Sequence, residues 1–456
     1  MSHTAMPEAR SGGLTATEHR LANGLRVVLS EDHITPVAAV CIWYDVGSRH
    51  EVKGRTGLAH LFEHLMFQGS ASVKGNGHFE LIQGAGGSLN GTTSFERTNY
   101  FETMPAHQIE LALWLEADRM GSLLSALDEE SLENQRDVVK NERRQRYDNV
   151  PYGTAFERLT ALAFPGDHPY HHTPIGSMAD LDAASLEDAR AFFRTYYAPN
   201  NAVLAVVGDV DPEQTLAWAE KYFGSIPAHD GKPPVRDGSL PPVMGAQVRQ
   251  VITEDVPSRA LMAAYRLPHD GTRESDAADL ALTILGSGES SRLHNRLVRR
   301  DLSAVSASFG LLRLAGAPSL GWLNVHAASG ADVADIETAV DEELARFADT
   351  GPTPEEMERA QARLEREWLD RLATVGDRAD ELCRFAVLFG DPQLALTAVQ
   401  RVLAVTADEV QAVAAERLRP DNRAALVYEP TSTTTDDVET SNETDDDATT
   451  QEGTDK

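Results

Sequence analysis

The apolar residues of this chain follow two periods. From His19 to Asp45 they run or alternate as strands require. HRLANGLRVVLSED sets two β-prone arms around an Asn23-Gly24 hairpin signal, and PVAAVCIWYDVG follows as a second apolar run. Beyond Leu58 the spacing switches to every third or fourth residue. Helices are expected at 58–65, 76–82, 107–122 and 131–147, the last with Val138 and Val139 packed inward. Together these elements predict one mixed α+β domain over residues 19–225.

The pattern then repeats. Five prolines between Pro227 and Pro242 predict an extended linker over 226–244, and a second domain is expected over 245–430. The first half closes with LDAASLEDARAFFRTYYAPNNAVLAVVGDVDP and the second with LAVTADEVQAVAAERLRPDNRAALVYEP. Each reads as a capped helix, a Pro-x-Asn turn and a buried strand. Pro199 matches Pro420 and Asn201 matches Asn422, both at an offset of 221 residues. ENQRDVVKNERRQRYDN likewise has a helical counterpart in MERAQARLEREWLDRL. The chain therefore reads as a duplication, two homologous mixed α/β domains joined by a linker.

Charge narrows the function classes. A net charge of −30 leaves little basic surface for phosphates, which argues against nucleic acid as a partner. Nine acids and a single lysine lie in residues 431–456, an apolar-poor segment expected to be a disordered acidic tail. About −22 remains on the body. An acidic body could attract basic peptides, but acidity also serves solubility, and that is the simpler account. No apolar run reaches the roughly 18 residues of a membrane span. The first twenty residues lack the apolar segment and basic start of a secretory signal, so residues 1–18 are expected to be a flexible leader. Cys41 and Cys383, far apart in sequence, offer no disulfide framework and suit a reducing, cytoplasmic setting.

One stretch carries chemistry. In GLAHLFEHLMFQGS, residues 57–70, His60, Glu63 and His64 interrupt an otherwise buried helix. Residues at i, i+3 and i+4 share a helix face, so the two imidazoles can converge on one ion with Glu63 beside it. That is the arrangement of a zinc hydrolase, in which the carboxylate takes a proton from a water polarised by the metal. A pentapeptide of this kind also arises by chance, and two core histidines with a stray acid are the bland alternative. The duplication weighs against it: at the same offset His60 and His64 fall at Ala281 and Leu285, so the fold does not require histidines there. A catalytic zinc needs a third protein ligand. Glu142, in QRDVVKNERRQRYDN, is the candidate. An acid in so charged a helix is ordinarily solvated, and only the histidine pair singles it out. Three ligands and a base also differ from the closed four-ligand sets of structural zinc.

The segments HLFEH, GGSLNGTTSFERTNYFETMP, NQRDVVKNERRQRYDNVPYG and YYAPNNAVLAVVGDVDP, in that order, resemble the pitrilysin/insulinase family of zinc metallopeptidases (inverzincins), in its bacterial processing-peptidase-like branch. The resemblance runs from about residue 20 to residue 430. It implies one Zn2+ per chain on His60, His64 and Glu142, with Glu63 as general base. It further implies that Asn90, Gly91, Thr92, Thr93 and Ser94 form an edge strand onto which an extended peptide is added. Without the likeness, that segment could equally be an ordinary internal strand.

Two departures stand out. Many relatives carry a second glutamate seven residues before the ligand, where this chain has Gln135; Glu133 would project from another side. Relatives also present an arginine and, seven residues on, a tyrosine to the substrate. Arg299 resembles that arginine, but Ser306 stands where the tyrosine would be. The resemblance thus implies either a heterodimer with a zinc-less relative carrying the Arg/Tyr pair or a homodimer, each chain forming half of a clamshell around the peptide. The His168, His171 and His172 cluster lacks metal-ligand spacing and is expected in a loop. The expected function is a zinc-dependent endopeptidase or oligopeptidase; the alternative is a non-catalytic core or peptide-binding subunit of a larger assembly.

Overall fold

The computed structural model of the chain describes residues 14–431, so the first part of the leader and the acidic tail after Thr431 lie outside the described residues. The strands form two sheets. The first contains β1 (Thr17–Arg20), β2 (Arg26–Glu31), β3 (Val37–Tyr44), β4 (Ser88–Thr93), β5 (Thr98–Pro105) and β6 (Ala202–Gly208) in the order β1-β2-β6-β3-β5-β4. The second contains β7 (Val248–Glu254), β8 (Ala260–Leu267), β9 (Ala304–Leu312), β10 (Ser319–Ala327) and β11 (Arg423–Pro430) in the order β7-β11-β8-β10-β9. The Asn23-Gly24 signal turns β1 into β2, with Gly24 at φ +90°.

Without β1 the two orders are the same. β2 runs parallel to β6 and β7 parallel to β11, while every other pairing is antiparallel in both sheets. The equivalence reaches single atoms. Asn201 Nδ2 donates to the carbonyls of Tyr196 and Asp45, and Asn422 Nδ2 donates to those of Arg417 and Arg266. All three residue pairs differ by the same 221 positions.

Each sheet packs its own helices on one face and a helix from the other half on the opposite face. Val375–Phe389 lies across β3 and β6, burying Ala379, Leu382, Cys383, Phe385 and Ala386 against Ala39, Cys41, Trp43 and Ala205. In return Ala155–Ala163 lies on β8 and β11, joining Leu159 and Phe164 to Met262, Ala264 and Leu426. Burying one large apolar side chain contributes roughly 1.5–3 kcal/mol, so the exchange makes the halves one interlocked body. Cys41 and Cys383 are free buried thiols within this packing. Residues 225–247, the proline-rich stretch included, contain no helix or strand. Among the described residues no single helix is long and apolar enough to cross a membrane.

Candidate metal centre

The helix Leu58–Leu65 owes its position to both its faces. Leu58, Ala59, Leu61, Phe62 and Leu65 are buried in the first half's core, which turns His60, Glu63 and His64 toward a cleft. Its N-terminus starts at Gly57, held at φ +90°, and is capped from a distance. Glu51 Oε2 accepts from Gly57 N at 2.9 Å and Oε1 from Ala59 N at 2.7 Å, while His172 Nε2 lies 2.8 Å from Oε2. A fully buried carboxylate at a helix N-terminus satisfies orphan amides and favours the local dipole. Nothing in the sequence marked Glu51, because the cap reaches across a loop rather than from the residue before the helix.

Glu142 sits near the end of the helix Glu129–Arg143, which then widens into a π turn over Arg144–Asp148. Leu132, Gln135 and Val139 are its buried residues, and Glu142, three positions beyond Val139, shares their inward side. Val138 corrects the sequence expectation. It is 40% exposed while Val139 is fully buried, since neighbours on a helix stand about 100° apart and this helix buries only the narrow side of Leu132, Gln135 and Val139. Glu133 points outward and pairs with Arg136.

The three side chains converge. Glu142 Oε2 lies 3.6 Å from His60 Nε2 and 3.4 Å from His64 Nε2, and one ligand atom from each residue falls within 4.8 Å of the others. Donors about 2.1 Å from a tetrahedral zinc stand about 3.4 Å apart, so the donor set and its two histidine–carboxylate spacings fit that ion. Arg146 Nη1 binds the other carboxylate oxygen, Oε1, at 2.7 Å and leaves Oε2 to the histidines.

Electrostatics favour the ligand states. Burial, with the charge of His64, lowers His60 to about 4, so its imidazole is neutral at pH 7. The bond from His64 lowers Glu142, which is ionised. These are the forms a metal needs. Burial raises the Glu63 carboxyl above its ordinary range, and among the described residues its buried Oε2 has no hydrogen-bond partner.

The cleft measures about 590 Å³, and Asn90, Gly91, Thr92, Thr93 and Ser94 all border it beside the histidines. Among the described residues β4 is the outermost strand of its sheet, paired only with β5. Its Gly91 lies over an aromatic floor: a Cβ there would stand 3.0 Å from Tyr100 Cδ1 and 3.1 Å from Phe67 Cε2.

Other candidates stand elsewhere. Arg299 does not border the cleft; it is 56% exposed and pairs with Glu289 at 2.9 Å. Ser306 lies exposed on β9. His168, His171 and His172 occupy a loop with separate partners, the Gly238 carbonyl, the Phe164 carbonyl and Glu51. Among the described residues only His60, His64 and Glu142 form a cluster able to hold a metal.

Comparison with known proteins places the chain in a family. Residues 26–172 match the family model described as insulinase (peptidase family M16), and residues 183–364 match the one described as peptidase M16 inactive domain. The zinc protease PqqE of Helicobacter pylori is 36% identical over 289 residues, 63% of this chain and 64% of that protein. The chain thus spans slightly under two thirds of that relative. An uncharacterized zinc protease of Mycobacterium leprae is 30% identical over 422 residues, 92% of each chain. The crystal structure of a protease from Helicobacter pylori superposes with a TM-score of 0.85 at 29% identity, covering 91% of this chain and all of that one.

Proposed function

The chain belongs to the insulinase family of peptidases (family M16), and on that premise we propose that it is a zinc-dependent endopeptidase or oligopeptidase acting on extended peptides. The observation that carries the reading is the convergence of His60, His64 and Glu142 on a cleft edged by β4. These three residues would hold one zinc ion. When bound, zinc supplies Lewis acidity that lowers the pKa of water and polarises a peptide carbonyl.

The chain's own residues do the rest. Glu63 accepts a proton from the attacking water at its unpartnered Oε2 and returns it to the amine nitrogen as the peptide bond breaks. The free edge of β4 binds the substrate backbone by strand addition, which fixes the scissile bond without demanding one sequence. Arg299 lies away from this cleft and the companion tyrosine is absent, which supports a working enzyme built from two chains. The partner is a zinc-less relative bearing the Arg/Tyr pair, or else a second copy, and the closed chamber admits short or unfolded peptides. Two free buried thiols support a cytoplasmic setting.

A second reading, a non-catalytic assembly subunit, draws on the description of the model that covers residues 183–364 as an inactive domain. Zinc quantification with a quenched peptide library separates the two. Wild type is expected to hold one zinc and cleave, and Glu63→Gln to keep the zinc while kcat falls about 10²–10⁴-fold. Stoichiometric zinc with no cleavage, alone or with a related partner chain, would sink the peptidase reading.

A further inference from the structure

Ser94 and Phe95 carry the edge segment out of the metal cleft, and Glu96 follows them into the turn toward β5, where it is buried. Its carboxylate gathers donors from three segments. From the first half, Tyr170 Oη donates to Oε1 at 2.6 Å and Arg49 Nη1 at 3.2 Å. From the second, Ala315 N lies 3.0 and 3.1 Å from the two oxygens and Gly316 N lies 2.7 Å from Oε1. Those two amides belong to the turn between β9 and β10, the hairpin that matches β4–β5 in strand order. One buried carboxylate thus ties the equivalent hairpins of the two halves turn to turn.

The surroundings are shaped to this contact. A Cβ on Gly316 would collide with Arg49 Nη1 and stand 2.6 Å from Tyr170 Oη, so a side chain there would push the turn off the carboxylate. Behind it lies the linker, where a Cβ on Gly238 would collide with the Gly316 carbonyl, and His168 Nε2 lies 3.0 Å from the Gly238 carbonyl. The first half holds the same segment by its backbone, with Ser48 N donating to the Ser94 carbonyl at 3.1 Å and Arg49 N to that of Phe95 at 2.9 Å. Among the described residues, every hydrogen bond from residues 94–97 to the second half ends on Glu96.

Apolar contacts between the halves can slide, whereas a carboxylate accepting from two successive amides fixes both distance and direction. Leu312, three positions before Ala315, borders the cleft from the second half as Ser94 and Phe95 do from the first. From this geometry we infer that Glu96 is a positioning residue for peptide binding: it sets the end of β4 against the second half and so holds the strand's free edge in one place for the substrate. The inference rests on the peptidase reading of the same site. Among the described residues Glu96 bonds neither the three candidate ligands nor Glu63, so its loss falls on the binding of peptide rather than on the chemical step.

The test uses the full-length zinc-loaded chain, in the assembly in which it cleaves, with one quenched peptide. Glu96→Ala is expected to raise KM about ten-fold, with kcat within about two-fold and zinc content unchanged. Glu96→Gln keeps an oxygen for the donors that meet on Oε1 and should restore most of the wild-type KM. Thr272→Ala, which removes a helix cap in the second half, should lower the urea midpoint yet leave KM unchanged, because a purely structural loss leaves the folded fraction near one. Gly316→Ala should reproduce the rise in KM from the other half, and it decides the question should Glu96→Ala not fold. An unchanged KM in a folded Glu96→Ala or Gly316→Ala, or a fall in kcat at constant KM, would overturn the inference and leave the peptidase. If wild type cuts nothing, binding of the same peptide carrying a fluorescein label decides. Weaker binding by Glu96→Ala then removes the peptidase and keeps the positioning role, while equal binding, or none by wild type, removes both.

Discussion

The two halves of this chain differ least in fold and most in chemistry. They share strand order, pairing directions and the asparagine that ties the last helix to the sheet. Yet at an offset of 221 residues His60 and His64 become Ala281 and Leu285, which are 1% and 0% exposed inside the helix Arg273–Gly286. Glu142 becomes Arg363, a cation paired with Glu367. In one half the helix turns a polar edge to a cleft; in the other it is buried along most of its length. The fold sets where a metal site can be built, and three side chains decide whether it is.

The most severe test makes the first half resemble the second. Replacing His60→Ala and His64→Leu is expected to abolish stoichiometric zinc and lower peptide cleavage more than about 10³-fold. The fold should survive, because the second half is built with these residues and because buried imidazoles without bound metal cost solvation. Metal analysis, activity and urea unfolding of the metal-free proteins decide it. A variant that keeps its zinc would show that the ion is held elsewhere.

Acid should separate the halves next. His50 and His78 are buried in the first half, and burial, with the charges of Arg49 and Arg119 respectively, lowers them to about 3 and about 4. Both ring nitrogens of His78 lack partners. A histidine whose folded pKa is depressed binds more protons when unfolded, so its contribution is complete above about 6.5 and is lost as pH falls toward the folded value. For His78 the loss from 6.5 to 4 approaches roughly 3 kcal/mol. In the second half, burial lowers His326 without so large a displacement. Hydrogen exchange at pH 7 and pH 5 should therefore show the helix Gly77–Gly84 losing protection before the second sheet, and His78→Phe should flatten the difference. Equal loss in both halves would contradict this.

Much of this comparison is visible in the sequence. The spacing of Leu58, Leu61, Phe62 and Leu65 defines the motif helix, and the offset between Asn201 and Asn422 reproduces bonds the structure makes. Those features are local, or repeat a local signal. The exchanged helices are not legible, since apolar residues on Ala155–Ala163 and Val375–Phe389 say that a face is buried without saying against which sheet. Val138 fails for a different reason, because adjacent apolar residues satisfy an average of hydrophobicity but not the geometry of one face. Arg299 shows the limit of likeness, with an arginine at a recognisable position forming an ion pair away from the cleft.

The smallest contrast concerns how each half begins its matching helix. In the second, Thr272 caps Arg273–Gly286 in the usual way, its side chain accepting from Ser275 N at 3.2 Å. In the first, Glu51 performs that task from six residues upstream of Gly57, through two amides whose helix carries both candidate histidine ligands. Thr272→Ala is expected to cost about 1 kcal/mol and to leave zinc affinity unchanged. Glu51→Gln replaces two charge-assisted acceptors and strands His172, at a cost of about 1–3 kcal/mol. Because the first turn of the motif helix hangs on those bonds, zinc affinity should fall with it. Urea unfolding gives the first quantity and competition with a chelator the second. Were Glu51→Gln to lose stability without losing zinc affinity, Glu51 would be a cap like Thr272, and the metal geometry would rest on the packing of Leu61, Phe62 and Leu65 alone.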